Sequence, residues 1–220
     1  RTIETVIGLA ALHDVLSHSA MGAPAGQPVR RSEFSTRMTR SEEAARDIWT
    51  LFHPQEDGRL TAGSAPPAAG PEQGPTVHHW AVADHGGGGY CLMPKNDAPS
   101  SFGVGSVLGL ARHDGSGWEV GAIRWLQRKE DGSARVGVEV LAGTAEAIAV
   151  RPADGTDPQR GILFRADEGI PDTLLVPSLL FRRGQLVTLL AVDEERQVLL
   201  GARLEEIGQA ARFRFHEPER

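Results

Sequence analysis

From Thr76 onward, short runs rich in Val, Leu, Ile and Trp recur between turn signals, at the interval typical of β-sandwiches and β-barrels. No other feature of the chain restricts its fold as much. The runs predict strands at roughly 76–83, 89–93, 103–112, 118–128, 134–142 and 145–151, which suffice for one small antiparallel barrel over 76–151. Asp114-Gly115-Ser116-Gly117 and Asp131-Gly132-Ser133 supply turn chemistry, because glycine tolerates the positive φ that tight hairpins require. In the fourth run Trp118 and Val120 keep one phase of the alternation, whereas Ile123 and Trp125 keep the other. A bulge at Gly121 would account for the switch. In the third run Gly105, Gly109 and Ala111 share a face with Val107, which leaves room for a bulky neighbour or a close backbone approach.

The remaining segments read differently. Beyond Pro152 to Pro158, the runs GILFRAD, DTLLVPSLLF, QLVTLLAV, RQVLLGARLEEI and ARFRF predict a second β unit over 160–216, with a hairpin turning at Asp193-Glu194-Glu195. At the other end, residues 2–17 place Val6, Leu9, Leu12 and Leu16 at helical spacing. Residues 39–53 combine a Thr39/Glu42 capping-box pattern with an apolar stripe of Ala45, Ile48, Trp49 and Phe52. Two N-terminal helices within 1–53 are therefore expected. Residues 54–75, rich in proline and glycine and poor in large apolar side chains, read as a linker. The fold expected is mainly β: an antiparallel barrel, a second β unit and two N-terminal helices.

Composition narrows the function. A net charge of −6 offers no general attraction to a nucleic acid polymer, so an anionic ligand must rely on a local group of arginines. No apolar run is long enough for a membrane span. Cys91 is the only cysteine, which excludes an intrachain disulfide, and no secretion signal precedes it, so a cytoplasmic setting is expected. The chain opens on Arg1 rather than methionine, and a longer parent chain with further residues upstream is expected.

No catalytic constellation stands out. There is no nucleophile elbow, no phosphate loop ending in Gly-Lys-Ser/Thr and no His-Glu-x-x-His, so the expectation is a non-enzyme without cofactor or metal. His78 and His79 would point to opposite faces of a strand and cannot jointly hold one ion. The run Gly86 to Gly89 lacks the helix and lysine of a phosphate loop.

The sequence WAVADHGGGGYCL carries a resemblance. Asp84-His85-Gly86-Gly87-Gly88-Gly89 is similar to the Asp/Asn-x-Ser-x-x-Gly motif of PilZ domains, with Gly86 where the motif has serine. The Gly121-x-x-Arg124-Trp125 run and Val136-Gly137-Val138-Glu139 resemble later strands of the same family, so the resemblance spans about Thr76 to Arg151. PilZ domains are typically receptors for cyclic di-GMP. The resemblance implies that Asp84 accepts hydrogen bonds from a guanine edge and that Gly86 and Gly89 let the backbone approach a flat base. A polar, glycine-rich strand connection would carry the same residues. The family's Arg-x-x-x-Arg element has its nearest counterpart in Arg30-Arg31, with Arg37 and Arg40 following, and Arg30 and Arg31 are the candidate phosphate ligands. The implied function is a PilZ-like regulatory protein that recognises cyclic di-GMP. Its alternative is a PilZ-like scaffold that has lost the nucleotide and works through an unidentified protein partner.

Overall fold

The computed structural model describes residues 1–20, 74–94, 102–129, 133–155, 157–166, 171–191 and 194–218. They form two closed antiparallel barrels and one helix. The first barrel comprises β1 (Thr2–Ile7), β2 (His78–Gly86), β3 (Gly89–Pro94), β4 (Val107–Ala111), β5 (Trp118–Arg128) and β6 (Ala134–Val140). These strands are ordered β1-β2-β3-β6-β5-β4, with β4 pairing back to β1. The second comprises β7 (Thr144–Pro152), β8 (Gln159–Arg165), β9 (Thr173–Pro177), β10 (Leu186–Leu190), β11 (Glu195–Ile207) and β12 (Ala210–His216). Read from β7, its order is β7-β8-β9-β12-β11-β10, which repeats the connectivity of the first barrel strand for strand.

Three sequence expectations need correction. Residues 2–7 are not the start of a helix but β1, paired to β2 on one side and β4 on the other. Its β-branched residues Thr2, Ile3, Thr5, Val6 and Ile7 favour the strand. Gly8, at φ 93°, ends β1, and its carbonyl accepts the N–H of Leu12 to open helix α1 (Leu9–Ala20). The sixth strand of the first barrel is therefore β1, whereas the run expected at 145–151 is β7 and pairs with β8 and β10 of the second barrel. Finally, β5 is regular through Gly121, and its register shift falls between Ile123 and Trp125. The second expected helix at 39–53 and the linker as far as residue 73 lie outside the described residues, which hold one helix.

The apparent phase switch in β5 reflects burial on both faces. Ile123 points into the first barrel with Trp80, Leu92, Leu108, Leu110, Val136 and Val138. Trp118, Val120 and Ala122 point outward, yet they are buried because α1 and the second barrel cover them. That outer seam joins Val6 and Val107 of the first barrel, Leu12, Val15 and Leu16 of α1, and Ile162, Phe164, Leu175 and Ile207 of the second barrel. Space left by Gly109 admits Leu12: a Cβ there would run into Val6, Leu12 and Trp118. At the edge of the seam the barrels touch backbone to backbone, where Gly208 (φ 58°) packs against the carbonyl of Gly105 (φ 86°). The second barrel has its own interior, filled by Leu163, Leu174, Val187, Val198, Leu200 and Phe213 among others.

Leu12 is fully buried where all three parts of this seam meet. Leu12→Ala should lower the unfolding free energy by about 2–5 kcal/mol, the usual cost of a leucine-sized cavity. Urea unfolding followed by far-UV circular dichroism measures it, and an unchanged midpoint would show that α1 does not bind the barrels together.

Candidate ligand groove

The β2–β3 hairpin closes through a two-residue Gly87-Gly88 connection, with Gly86 paired to Gly89. Neither glycine of the connection takes a positive φ and a Cβ on either would meet nothing within 4 Å, so the turn by itself does not demand the run of four. Just before the turn, the register shifts between Val82 and Asp84, leaving Asp84 exposed with its Oδ1 accepting the His85 N–H at 2.8 Å. The two glycines of the motif-like run have different surroundings. A Cβ on Gly86 would meet nothing within 4 Å, so its face stays open. A Cβ on Gly89 would collide with the carbonyl of Val138, so glycine there is what lets β3 lie against β6.

Beside the hairpin, the β5 bulge does what regular alternation cannot. Ile123 points inward, whereas both Arg124 and Trp125 are exposed on the outer face. The Trp125 indole lies over Gly137 of β6, at the place a β-carbon would occupy, and 45% of the residue remains exposed. Arg124 Nε donates to Glu139 Oε2 at 2.5 Å, and its Nη2 donates to Glu205 Oε2 of the second barrel at 2.6 Å. The bond to Glu205, followed by that to Glu139, raises the Arg124 pKa above its ordinary value against the opposing effect of burial. Glu205 is shared with Arg212, which is itself held by Thr173 and by the carbonyl of Ala142 and stacks over Phe164. Burial lowers the Arg212 pKa, and Glu205 works against that.

Together these elements enclose a groove of about 310 Å³ on the outer face of the first barrel. It brings Asp84, Gly86 and Gly89 together with Arg124, Trp125 and Glu139, none of the last three being expected as site residues from the sequence. Arg30 and Arg31 lie outside the described residues. On the far side of His85 and Tyr90 a second hollow, of about 390 Å³, is bordered by Arg1 and Arg112. The Tyr90 hydroxyl donates to Glu119 at 3.1 Å, and burial, followed by the Glu119 charge, raises its pKa. His78 is buried and His79 exposed, as opposite faces of β2 require.

The groove has the chemistry for a planar, hydrogen-bonding, anionic ligand. An exposed indole face can stack a base, carboxylates accept from base N–H groups, and a guanidinium can pair with a phosphate. Asp84 and Glu139 outnumber Arg124, however, so a phosphate placed here needs cations from outside the groove as well.

Residues 1–147 match the family described as the middle PilZ domain of the cyclic-di-GMP receptor FimW, and residues 147–218 match the FimW C-terminal β-barrel domain. The two matches meet at residue 147, within β7, the first strand of the second barrel. A relative in Pseudomonas aeruginosa, the cyclic-di-GMP receptor FimW, is 27% identical over 144 residues, covering 63% of this chain. The matched region spans only 24% of that relative's length. No solved structure gives a significant match. Among the described residues no helix is long and apolar enough to cross a membrane, and no group of three or more side chains is placed to hold a metal ion.

The contact of Trp125 with Gly137 is directly testable. Gly137→Ala should push the half-exposed indole outward at the low end of about 1–3 kcal/mol. Acrylamide should then quench tryptophan fluorescence more strongly than in the wild type, and Trp125→Phe should abolish that difference. Equal quenching in both would place the indole elsewhere.

Proposed function

We propose, from the premise that the chain belongs to the FimW family of PilZ-domain cyclic-di-GMP receptors, that its first barrel binds cyclic di-GMP and that the chain is a receptor rather than an enzyme. The observation that carries the proposal is the groove itself, in which the Asp84–Gly89 hairpin faces Arg124 and a half-exposed Trp125. Asp84 is the acceptor for a guanine edge, Trp125 the stacking platform, and the open face of Gly86 the point of close approach. The carboxylate surplus in the groove makes Arg30 and Arg31 the arginines that complete the phosphate contacts, because two phosphodiesters need cationic partners in an acidic protein. Gly89 lines the same groove, and its lack of a side chain lets β3 lie against β6.

One observation favours a second reading, a PilZ-like surface that contacts another protein instead of a nucleotide. The groove's own guanidinium is already engaged by two carboxylates. Calorimetry separates the two. Under the receptor reading cyclic di-GMP binds, Asp84→Ala weakens it by about five- to a hundredfold, equivalent to roughly 1–3 kcal/mol, and the Arg30→Ala/Arg31→Ala double variant costs at least as much. Absence of binding to the wild-type chain and to an upstream-extended one would leave the protein-contact reading. Tight binding that survives all three substitutions would move the site to another surface.

A further inference from the structure

Because the second barrel repeats the strand order of the first, each place on one has a counterpart on the other. The groove described above lies across the outer face of the third, sixth and fifth strands of its barrel, beside a bulge in the fifth. At the matching place the second barrel has a hollow of about 550 Å³ against β11, β12 and the turns that lead into β9 and β10. Its fifth strand, β11, is also irregular, shifting register between Leu200 and Arg203 and again before Glu205. The correspondence extends to single residues. Ile123 pairs with Val138 and bonds the turn before β4 just as Leu200 pairs with Phe215 and bonds the turn before β10, so Gly137 and Glu139 in one barrel answer to Arg214 and His216 in the other.

The chemistry of the two places is inverted. The second hollow is bordered by Arg183, Arg214 and His216, with no carboxylate among its described lining residues. Leu199 and Pro171 add apolar wall, and a side chain on Gly201 would crowd the floor, 3.3 Å from the Arg214 carbonyl and 3.7 Å from His216 Nδ1. Arg124, Arg151, Arg165, Arg203 and Arg212 each hold a carboxylate. Among the described residues, the side chains of Arg183 and Arg214 hold none, although the whole chain carries a net charge of −6. Arg183, just before β10, and Arg214, on β12, flank β11 at the hollow, both exposed and, among the described residues, without a counter-charge, which is the chemistry of an anion site.

We infer that this hollow on the second barrel binds an organic phosphate ester. Arg183 and Arg214 take the phosphate oxygens, the apolar wall beside Leu199 takes the organic part, and the volume suits a nucleotide-sized group. Arginines that pair with phosphate oxygens make the site read phosphate rather than the identity of the base.

Residue-resolved amide shifts test this on the whole chain, with adenosine diphosphate and inorganic pyrophosphate as probes. Adenosine diphosphate should saturate shifts at Gly184, Gly201, Ala202 and Phe215 while Gly86 and Gly89 stay unmoved. Pyrophosphate should saturate them more weakly. An Arg183→Ala/Arg214→Ala variant, which removes no ion pair among the described residues, should fold with the same melting temperature and lose at least ~tenfold in affinity, about one charge-assisted contact. Shifts that survive the double substitution, or no shifts at millimolar probe, overturn the site. Equal affinity for both probes overturns the ester assignment, and saturation by an acidic peptide but by neither probe overturns it in favour of a protein ligand.

Discussion

The arrangement of this molecule depends on one apolar seam. Trp118, Val120 and Ala122 project from the outside of the first barrel, where a free-standing barrel would be polar. Leu12, Val15 and Leu16 of α1 cover them together with Ile162, Phe164 and Ile207 of the second barrel. Burying a side chain of this kind contributes about 1.5–3 kcal/mol, so separating the two barrels would expose several such contributions at once. The polar ties around the seam matter less to stability. Arg124 and Glu205 are partly exposed, and ion pairs in water-accessible positions contribute about 0–1 kcal/mol. Their value is geometric, since they hold Arg124 beside Trp125 at the mouth of the groove.

The β character of the chain was legible because alternation and turn chemistry are local properties. The hairpin expected around Asp193 is β10–β11, and the strands expected at 118–128 and 134–142 are β5 and β6. What misled the reading was burial on two faces. In β5 it mimicked a bulge at Gly121, because an outward face covered by α1 is as apolar as an inward one. In residues 2–7 a strand preceding a helix looked like helix, since Val6, Leu9, Leu12 and Leu16 all point into the same seam from two different elements. The spacing was real, but it reported a shared destination rather than a shared helix.

The site was half legible. Asp84, Gly86 and Gly89 were expected because a contiguous motif carries them, and the structure brings them to one groove, which is proposed as the site. Arg124, Trp125 and Glu139 come from strands distant in sequence, and only the bulge after Ile123 turns two consecutive side chains to the same side. A signal existed, since Gly121-x-x-Arg124-Trp125 pairs a large aromatic with Gly137 across the ladder, but pairing partners are not visible in a single sequence. The repeated strand order was likewise hidden, because β1 lies so far from the rest of its barrel.

That distance has a further consequence. Thr5 Oγ1 donates to the carbonyl of His78, a residue 73 positions away, across a pair of neighbouring strands. The cost of closing such a connection grows only with the logarithm of its length, about 0.6 kcal/mol per doubling. β1 and α1 behave as a tethered ligand of the remaining strands, docked by the seam and supplied at an effective concentration that the connection sets. Cutting that tether would turn closure of the first barrel from an intramolecular step into a bimolecular one, dependent on how much of each piece is present.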